Sequence, residues 1–213
     1  MTAAGVLAAL VTALLIAGCA NESIGRAGSK AALVRTDGAA GWHGTPLRTP
    51  YPLPDQRFTD TSGTPVVPAA DVDSPVTLVF FGYTHCPDIC NVVLATIASA
   101  LRGSSEPVRH SVRVLFVATD PARDTPAAVR AYLDRFDPTY VGLVAPVDVV
   151  AAAARDLHIS YETPTGTTGG GYEVEHGTYV TGFVEGRARI VWSETTSVAA
   201  LRADLERLVS ATA

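Results

Sequence analysis

Two cysteines, Cys86 and Cys90, stand four residues apart where an apolar run gives way to a segment of helical periodicity. On a helix that spacing puts both side chains on one face, with Cα atoms ~6 Å apart. The separation suits a disulfide, whose Cα atoms usually lie ~4.4–6.8 Å apart. It equally suits two thiolates on one ion, given metal–sulfur bonds of about 2.3 Å. Free N–H groups at a helix start favour negative charge and lower a cysteine pKa. The pair is therefore fitted for redox chemistry, for metal binding, or for both. Two thiolates select soft ions, and Cu(I) is the softest common candidate. They do not complete a site. A structural zinc usually takes four protein ligands, and the remaining cysteine, Cys19, lies far upstream. A third ligand has to be a histidine or a carboxylate from distant sequence.

The histidines are His43, His85, His110, His158 and His176. His43 lies in a proline-rich extended stretch and His110 in a polar loop; both are expected to be solvated. His158 follows a helical stretch among apolar neighbours and reads as a packed or surface residue. His85 adjoins Cys86, although neighbours in a loop often point to opposite sides. His176 follows a loop rich in Gly and Thr, Glu162 to Gly171, and precedes a strand-like run. His85 and His176 stay open as ligands.

The elements that must carry these residues are outlined by periodicity. Val76-Thr77-Leu78-Val79-Phe80-Phe81 is an almost continuous run of apolar β-formers, the mark of a strand buried on both faces. After Gly82 to Pro87, the residues Val93, Leu94, Ile97, Ala98 and Leu101 recur at helical spacing, with Pro87 placed to open that helix and both cysteines at its start. A second buried strand, Val112 to Ala118, leads into Asp120-Pro121-Ala122-Arg123-Asp124-Thr125-Pro126. Thr125 as N-cap and Pro126 at the first helical position start a helix with Val129, Leu133 and Phe136 on its apolar face. A short helix is expected over Val147 to Leu157. The glycines of the 162–171 loop form no phosphate cradle, because the required Lys-Ser/Thr is absent. Tyr179 to Val184, a turn at Glu185-Gly186, and Ala188 to Trp192 make a hairpin. Val198, Leu201, Leu205 and Leu208 mark a closing amphipathic helix. Upstream, Pro46, Pro50, Pro52 and Pro54 impose an extended stretch, and Asp60-Thr61-Ser62-Gly63 is a turn between two short strands. This order of elements gives an α/β, thioredoxin-like fold: a central mixed sheet flanked by helices, with an N-terminal extension. In such a sheet the loop carrying His176 faces the cysteine helix.

With 213 residues, 47% of them hydrophobic, the chain suits one domain with appendages. A formal net charge of −5 gives a nucleic-acid role no electrostatic support. The first 18 residues carry no charge, and Leu14-Leu15-Ile16-Ala17-Gly18-Cys19 sets small residues just before a cysteine. This looks like a lipoprotein signal peptide over residues 1–18, cleaved before Cys19, whose thiol is then acylated. No Lys or Arg precedes the apolar run, unlike most export signals, and the competing reading is an uncleaved membrane anchor. Either way the rest is exported, to the extracytoplasmic face of the cell membrane. Residues 19–43 are expected to be a flexible tether, and 44–213 the folded domain.

At the cysteine loop the sequence resembles the Sco/SenC family of copper proteins for cytochrome oxidase assembly. The matching pieces are Gly82-Tyr83-Thr84-His85-Cys86-Pro87-Asp88-Ile89-Cys90, then Asp120 to Pro126, then Tyr172-Glu173-Val174-Glu175-His176. The stretch from Gly44-Thr45-Pro46-Leu47 to Tyr51-Pro52-Leu53-Pro54 is similar too, so the resemblance covers about 44 to 210. It implies a thioredoxin-like fold with copper, Cu(I) and/or Cu(II), held by Cys86, Cys90 and His176. It implies as partners a copper donor protein and subunit II of cytochrome c oxidase, whose binuclear copper centre receives the metal. Asn91, Gly177 and Glu185 depart from residues common in the family; none removes a ligand. A second reading is a thiol–disulfide oxidoreductase, with Cys86 and Cys90 redox-active, that reduces the client's copper-site cysteines. Against it, the spacing is Cys-x3-Cys, not Cys-x2-Cys, and no proline precedes the late strand where His176 and Gly177 stand.

Overall fold

The computed structural model describes residues 41–162 and 173–212. The expected signal peptide, Cys19, the tether up to residue 40, Tyr172 and nearly all of the 162–171 loop lie outside the described residues.

The strands in chain order are β1 (Thr45–Pro46), β2 (Phe58–Asp60), β3 (Pro65–Val66), β4 (Val76–Gly82), β5 (Val112–Ala118), β6 (Val141–Val144), β7 (Val180–Val184) and β8 (Arg187–Trp192). They form one sheet in the order β1-β8-β7-β4-β5-β6-β2-β3. β4, β5 and β6 run parallel at its centre, and β7 lies antiparallel against β4. The helices are α1 (Pro68–Asp71), α2 (Ile89–Gly103), α3 (Glu106–Ser111), α4 (Pro126–Leu133), α5 (Val147–Asp156) and α6 (Val198–Ser210). Among the described residues none is long and apolar enough to cross a membrane.

All seven residues of β4 are buried, as an unbroken apolar run requires, because helices cover both faces. On one face Phe80 and Phe116 pack with Leu94 and Ile97 of α2, Val129 of α4, and Leu205 of α6. On the other, Val79, Phe81, Leu115 and Leu143 pack with Val150 and Ala153 of α5 and with Leu53 and Phe58 from the N-terminal stretch. The turn between β7 and β8 has φ 49° at Glu185 and 71° at Gly186, the left-handed pair that lets a two-residue hairpin follow the sheet twist. Thr125 caps α4 by accepting from the Ala128 N–H at 3.2 Å, with Pro126 in its first turn, as the residue types dictate.

Two local expectations fail. β6 is a third parallel strand that sequence reading passes over, since four residues give too short an alternation to register. His110 belongs to α3, not to a loop; it remains exposed, and its Nε2 faces Glu106 one turn earlier at 3.6 Å. His43 is exposed as expected, but its backbone is not in a free extended stretch: its N–H donates to buried Asp204, and its Nδ1 lies 3.2 Å from the same carboxylate. The expected tether also reaches past the point where the chain is fixed. The Arg207 guanidinium sits 4.6 Å from the centre of the Trp42 ring, and Asp204 accepts from the His43 and Gly44 N–H groups.

Asp204 is fully buried and also takes the Trp192 indole N–H at 2.8 Å, tying β8, α6 and the N-terminal stretch together. Asp204→Ala leaves the indole and two backbone donors unpaired, and we expect a loss of about 2–4 kcal/mol in urea unfolding. A loss under about 0.5 kcal/mol would show that water replaces the carboxylate at no cost.

Candidate metal centre

β4 ends at Gly82, and the chain turns through Tyr83 to Asp88 before α2 begins at Ile89. Only Cys90 lies on the helix; Cys86 sits in the preceding loop, its N–H donating to the Tyr83 carbonyl at 3.2 Å. The two cysteines therefore do not share a helical face, contrary to expectation: the loop folds back so that the Cys90 N–H, a free donor of the first turn, points at Cys86 Sγ at 3.3 Å. Both thiols are free and buried, Cys90 completely and Cys86 with 7% exposure. Asn91 supports the loop, donating to the Cys86 carbonyl at 3.4 Å while its own oxygen accepts the Tyr132 hydroxyl at 3.2 Å.

His176 arrives from the other side. It pairs with Tyr161 in an isolated antiparallel bridge, and the Gly177 N–H donates to the Ser160 carbonyl at 2.8 Å, fixing the backbone four residues ahead of β7. Its ring meets the Tyr83 ring edge-on at 5.9 Å and that of Phe80 at 6.3 Å. His176 Nδ1 lies 3.0 Å from the Gly177 carbonyl, which can only accept, so Nδ1 carries the hydrogen. The lone pair is then on Nε2, which faces Cys90 Sγ at 3.9 Å. This is the second-shell arrangement that presents an imidazole as a ligand. With bonds of about 2.3 Å to sulfur and 2.0–2.1 Å to nitrogen, 3.9 Å corresponds to an angle of roughly 125° at a shared ion. The distance suits these two donors as ligands of one ion.

The structure thus joins Cys86 to Cys90 and Cys90 to His176. Among the described residues the only sulfur in contact with His176 is that of Cys90, and no three His, Cys, Asp or Glu groups are already gathered as an ion cage. A cleft of about 530 Å³, lined among others by Tyr83, Cys86, Ile89, Glu175 and His176, opens over Cys86 and His176. The other histidines lie elsewhere. His85 is exposed beside Thr84, and His158, with φ 56°, meets the Tyr51 ring edge-on at 5.1 Å.

Charge is divided unequally between the sulfurs. The Cys90 thiol donates to Cys86, which with the Cys90 N–H holds the Cys86 pKa down to about 6 against burial. The same hydrogen bond and deeper burial push Cys90 up. One thiolate and one thiol share a proton near neutral pH. Burial pushes the His176 pKa down, only partly opposed by the Gly177 carbonyl, so the imidazole stays neutral and able to ligate.

Sequence reasoning missed the supports. Thr84 donates its N–H and hydroxyl to buried Asp124 at 3.0 and 2.6 Å, and Arg123, paired with Asp120, lies over the Tyr83 ring at 5.7 Å. The signal was there in Asp120 to Pro126, whose acidic and basic residues exceed what a helix start needs.

Comparison with known proteins bears on this site. The SCO1/SenC family model matches residues 51–210. The mitochondrial SCO2 homologue of Bos taurus is 34% identical over 108 residues, 50% of this chain and 41% of that protein, so the chain spans less than half the length of that relative. The structure of apo Sco1 from Thermus thermophilus superposes with a TM-score of 0.70 at 31% identity, covering 78% of this chain and 96% of that one. The copper-bound ScoI structure from Bradyrhizobium japonicum gives 0.63 at 30% identity, covering 78% and 98%.

The unequal sulfurs generate a prediction. Alkylation of the reduced protein by iodoacetamide should be fast at one site, Cys86, and rise with pH as the thiolate forms, with a midpoint of about 6. Cys90→Ala removes the donor and moves that midpoint up toward the ordinary ~8.5. A midpoint unchanged in the variant would show that Cys90 does not hold the charge.

Proposed function

This chain belongs to the SCO1/SenC family, and from that footing we propose that it captures copper with Cys86, Cys90 and His176 and hands it on in cytochrome c oxidase assembly. The single observation that supports this most is the lone pair of His176 Nε2 aimed at Cys90 Sγ across 3.9 Å. A thiol pair working only in redox needs no imidazole there, still less one whose other nitrogen is tied to a carbonyl.

Two sulfurs and one imidazole make a soft, three-coordinate site. A partner's ligand adds at the open position, and copper crosses by exchange of ligands without ever being free. Loading displaces the proton that Cys86 and Cys90 share, and with it the hydrogen bond from the Cys90 thiol to Cys86. The thioredoxin-like sheet supplies a rigid frame for both arms. The recipient in this reading is subunit II of the oxidase, with its binuclear copper centre, and a separate protein donates the metal. Residues 1–18 are read as a cleaved signal and Cys19 as the acylated anchor, with 19–43 as tether, placing the domain on the extracytoplasmic face of the membrane.

One observation favours a second activity. A thiolate at Cys86 with a pKa of about 6 is a competent nucleophile toward a disulfide. Reduction of the client's copper-site cysteines would precede metal transfer and could reside in the same pair.

The ligand assignment predicts that His176→Ala weakens Cu(I) binding by about 100-fold or more, since loss of a mere second-shell partner typically costs ~10–100-fold. Anaerobic competition with a Cu(I) chelator measures this, and circular dichroism should be unchanged. Unaltered affinity in that variant would remove His176 from the site. For the reductase reading, copper-free reduced protein should turn over a disulfide-bonded client peptide; no turnover counts against it.

A further inference from the structure

At the end of the sheet where β4 begins, the surface differs in kind from the one around the cysteines. Val76 opens β4 opposite Val184 of β7, and the seven residues of β4 carry the chain about 20 Å toward the metal site, at ~3.3 Å per residue. A second cleft, of about 440 Å³, runs between α6 and the β7–β8 hairpin and reaches Val184 and Glu185. Its apolar wall includes Trp42, Leu47, Ile190 and Leu208.

Arginines flank this cleft. Arg189 lines it, and Arg187 is exposed two residues earlier on β8. Exposed Arg48 follows Leu47, whose N–H donates to the Arg189 carbonyl at 2.8 Å. None of these three has an ion-pair partner among the described residues. Arg207 of α6 lies over the Trp42 ring at 4.6 Å. The only carboxylate lining the cleft is Glu185, so this patch is basic although the chain carries a net charge of −5. The copper cleft has the opposite sign: Asp88, Glu162, Glu173 and Glu175 line it, and no Lys or Arg does.

Apolar wall, tryptophan and arginines together match the interface of an anionic bilayer. A guanidinium pairs with phosphate oxygens through its planar fork, and a tryptophan ring settles at headgroup depth. The course of the chain agrees. The described fold starts at Gly41, which packs against Arg207 next to Trp42. Residues 19–40 join that point to Cys19, so along the chain this groove is the part of the domain nearest the anchor.

We propose that the Trp42 groove and its arginines form a face that rests on an anionic lipid surface and turns the copper cleft away from it. The proposal goes beyond the anchored copper reading above, on which its orienting role rests. An anchor alone holds the domain near the bilayer in any attitude; this face selects the one in which a partner can reach the metal.

Trp42 and Trp192 are the only tryptophans, and Trp192 is 1% exposed, so lipid reaches only Trp42. The full chain is mixed with vesicles bearing brominated acyl chains, either phosphatidylcholine alone or phosphatidylcholine with phosphatidylglycerol. At low salt the anionic vesicles should quench tryptophan emission and the zwitterionic ones should not. Salt at ~1 M, where the Debye length is about 3 Å, should restore the emission. Each arginine near an anionic surface favours contact by about fivefold, so Arg48→Gln/Arg189→Gln should lower the contact equilibrium by about 25-fold, with circular dichroism unchanged. Equal quenching by both vesicle types, or full quenching in the double variant, would overturn the proposal. So would binding of polyglutamate without quenching by anionic vesicles, which would assign the groove to an acidic protein. Flotation judges the anchor separately: a chain that does not float with zwitterionic vesicles lacks an acyl anchor, while quenching by the anionic ones still decides the role of the groove.

Discussion

Everything in the site follows from one buried negative charge. A thiolate at Cys86 has to be held at a position only 7% exposed, where an unpaired ion would cost several kcal/mol. Three things offset that cost: the Cys90 thiol, the Cys90 N–H at 3.3 Å, and the positive end of α2. Each depends on Cys86 being in the loop rather than on the helix. A sulfur one residue into α2 would lie beside the first turn and could not sit over its N–H groups. The Cys-x3-Cys spacing makes the fold-back possible, because it leaves Pro87, Asp88 and Ile89 to turn the chain before the second cysteine.

The sheet explains why His176 can reach Cys90 from 86 residues away. β7 runs antiparallel to β4 with Val180 opposite Phe80, so the C-terminal end of one strand and the N-terminal end of the other emerge side by side. Cys86 lies four residues beyond Gly82, and His176 four residues before Val180. The two departures from the sheet are nearly mirror images. β5, parallel to β4 and on its other flank, ends at the same edge, so its following loop delivers Asp120, Arg123 and Asp124 to Tyr83 and Thr84. Three strand ends meet at one edge, and the site is what their loops enclose.

That geometry also sets what the sequence could disclose. Cys86, Cys90 and the strands and helices with clear periodicity were legible, since local spacing determines them. The α/β class, the hairpin at Glu185-Gly186 and the Thr125 cap follow from residue type alone. β6 was not legible, because four residues between two helices carry no period of their own. Nor was α3, whose Pro107 and polar residues resemble a loop until Val108 is found buried against the core. The loop position of Cys86 escaped notice because Pro87 is a plausible first helical residue, and only the β4–β7 edge decides that α2 starts later. Spacing alone left both His85 and His176 as candidates, and it is the fold that brings His176 rather than His85 to Cys90. The contacts that brace the site, Thr84 with Asp124 and Tyr83 with His176, join residues 40 and more than 90 apart, and no local pattern encodes them.

The donor set is half closed, and in the proposed reading this separates a transit site from a resident one. A cage with every ligand in place before the ion arrives binds tightly and releases slowly, because no position is open to a competitor. Here the imidazole and one sulfur are in register while the other sulfur still accepts the Cys90 S–H, whose proton the ion must replace. Binding has to displace that hydrogen bond, which is worth about 1.5–3 kcal/mol when one partner is charged. The affinity is lowered by that amount, but the same hydrogen bond re-forms as the ion departs and so assists release. Leaving part of the coordination energy unspent in the empty protein keeps both directions of exchange fast, and that is the property a carrier needs more than strength of binding.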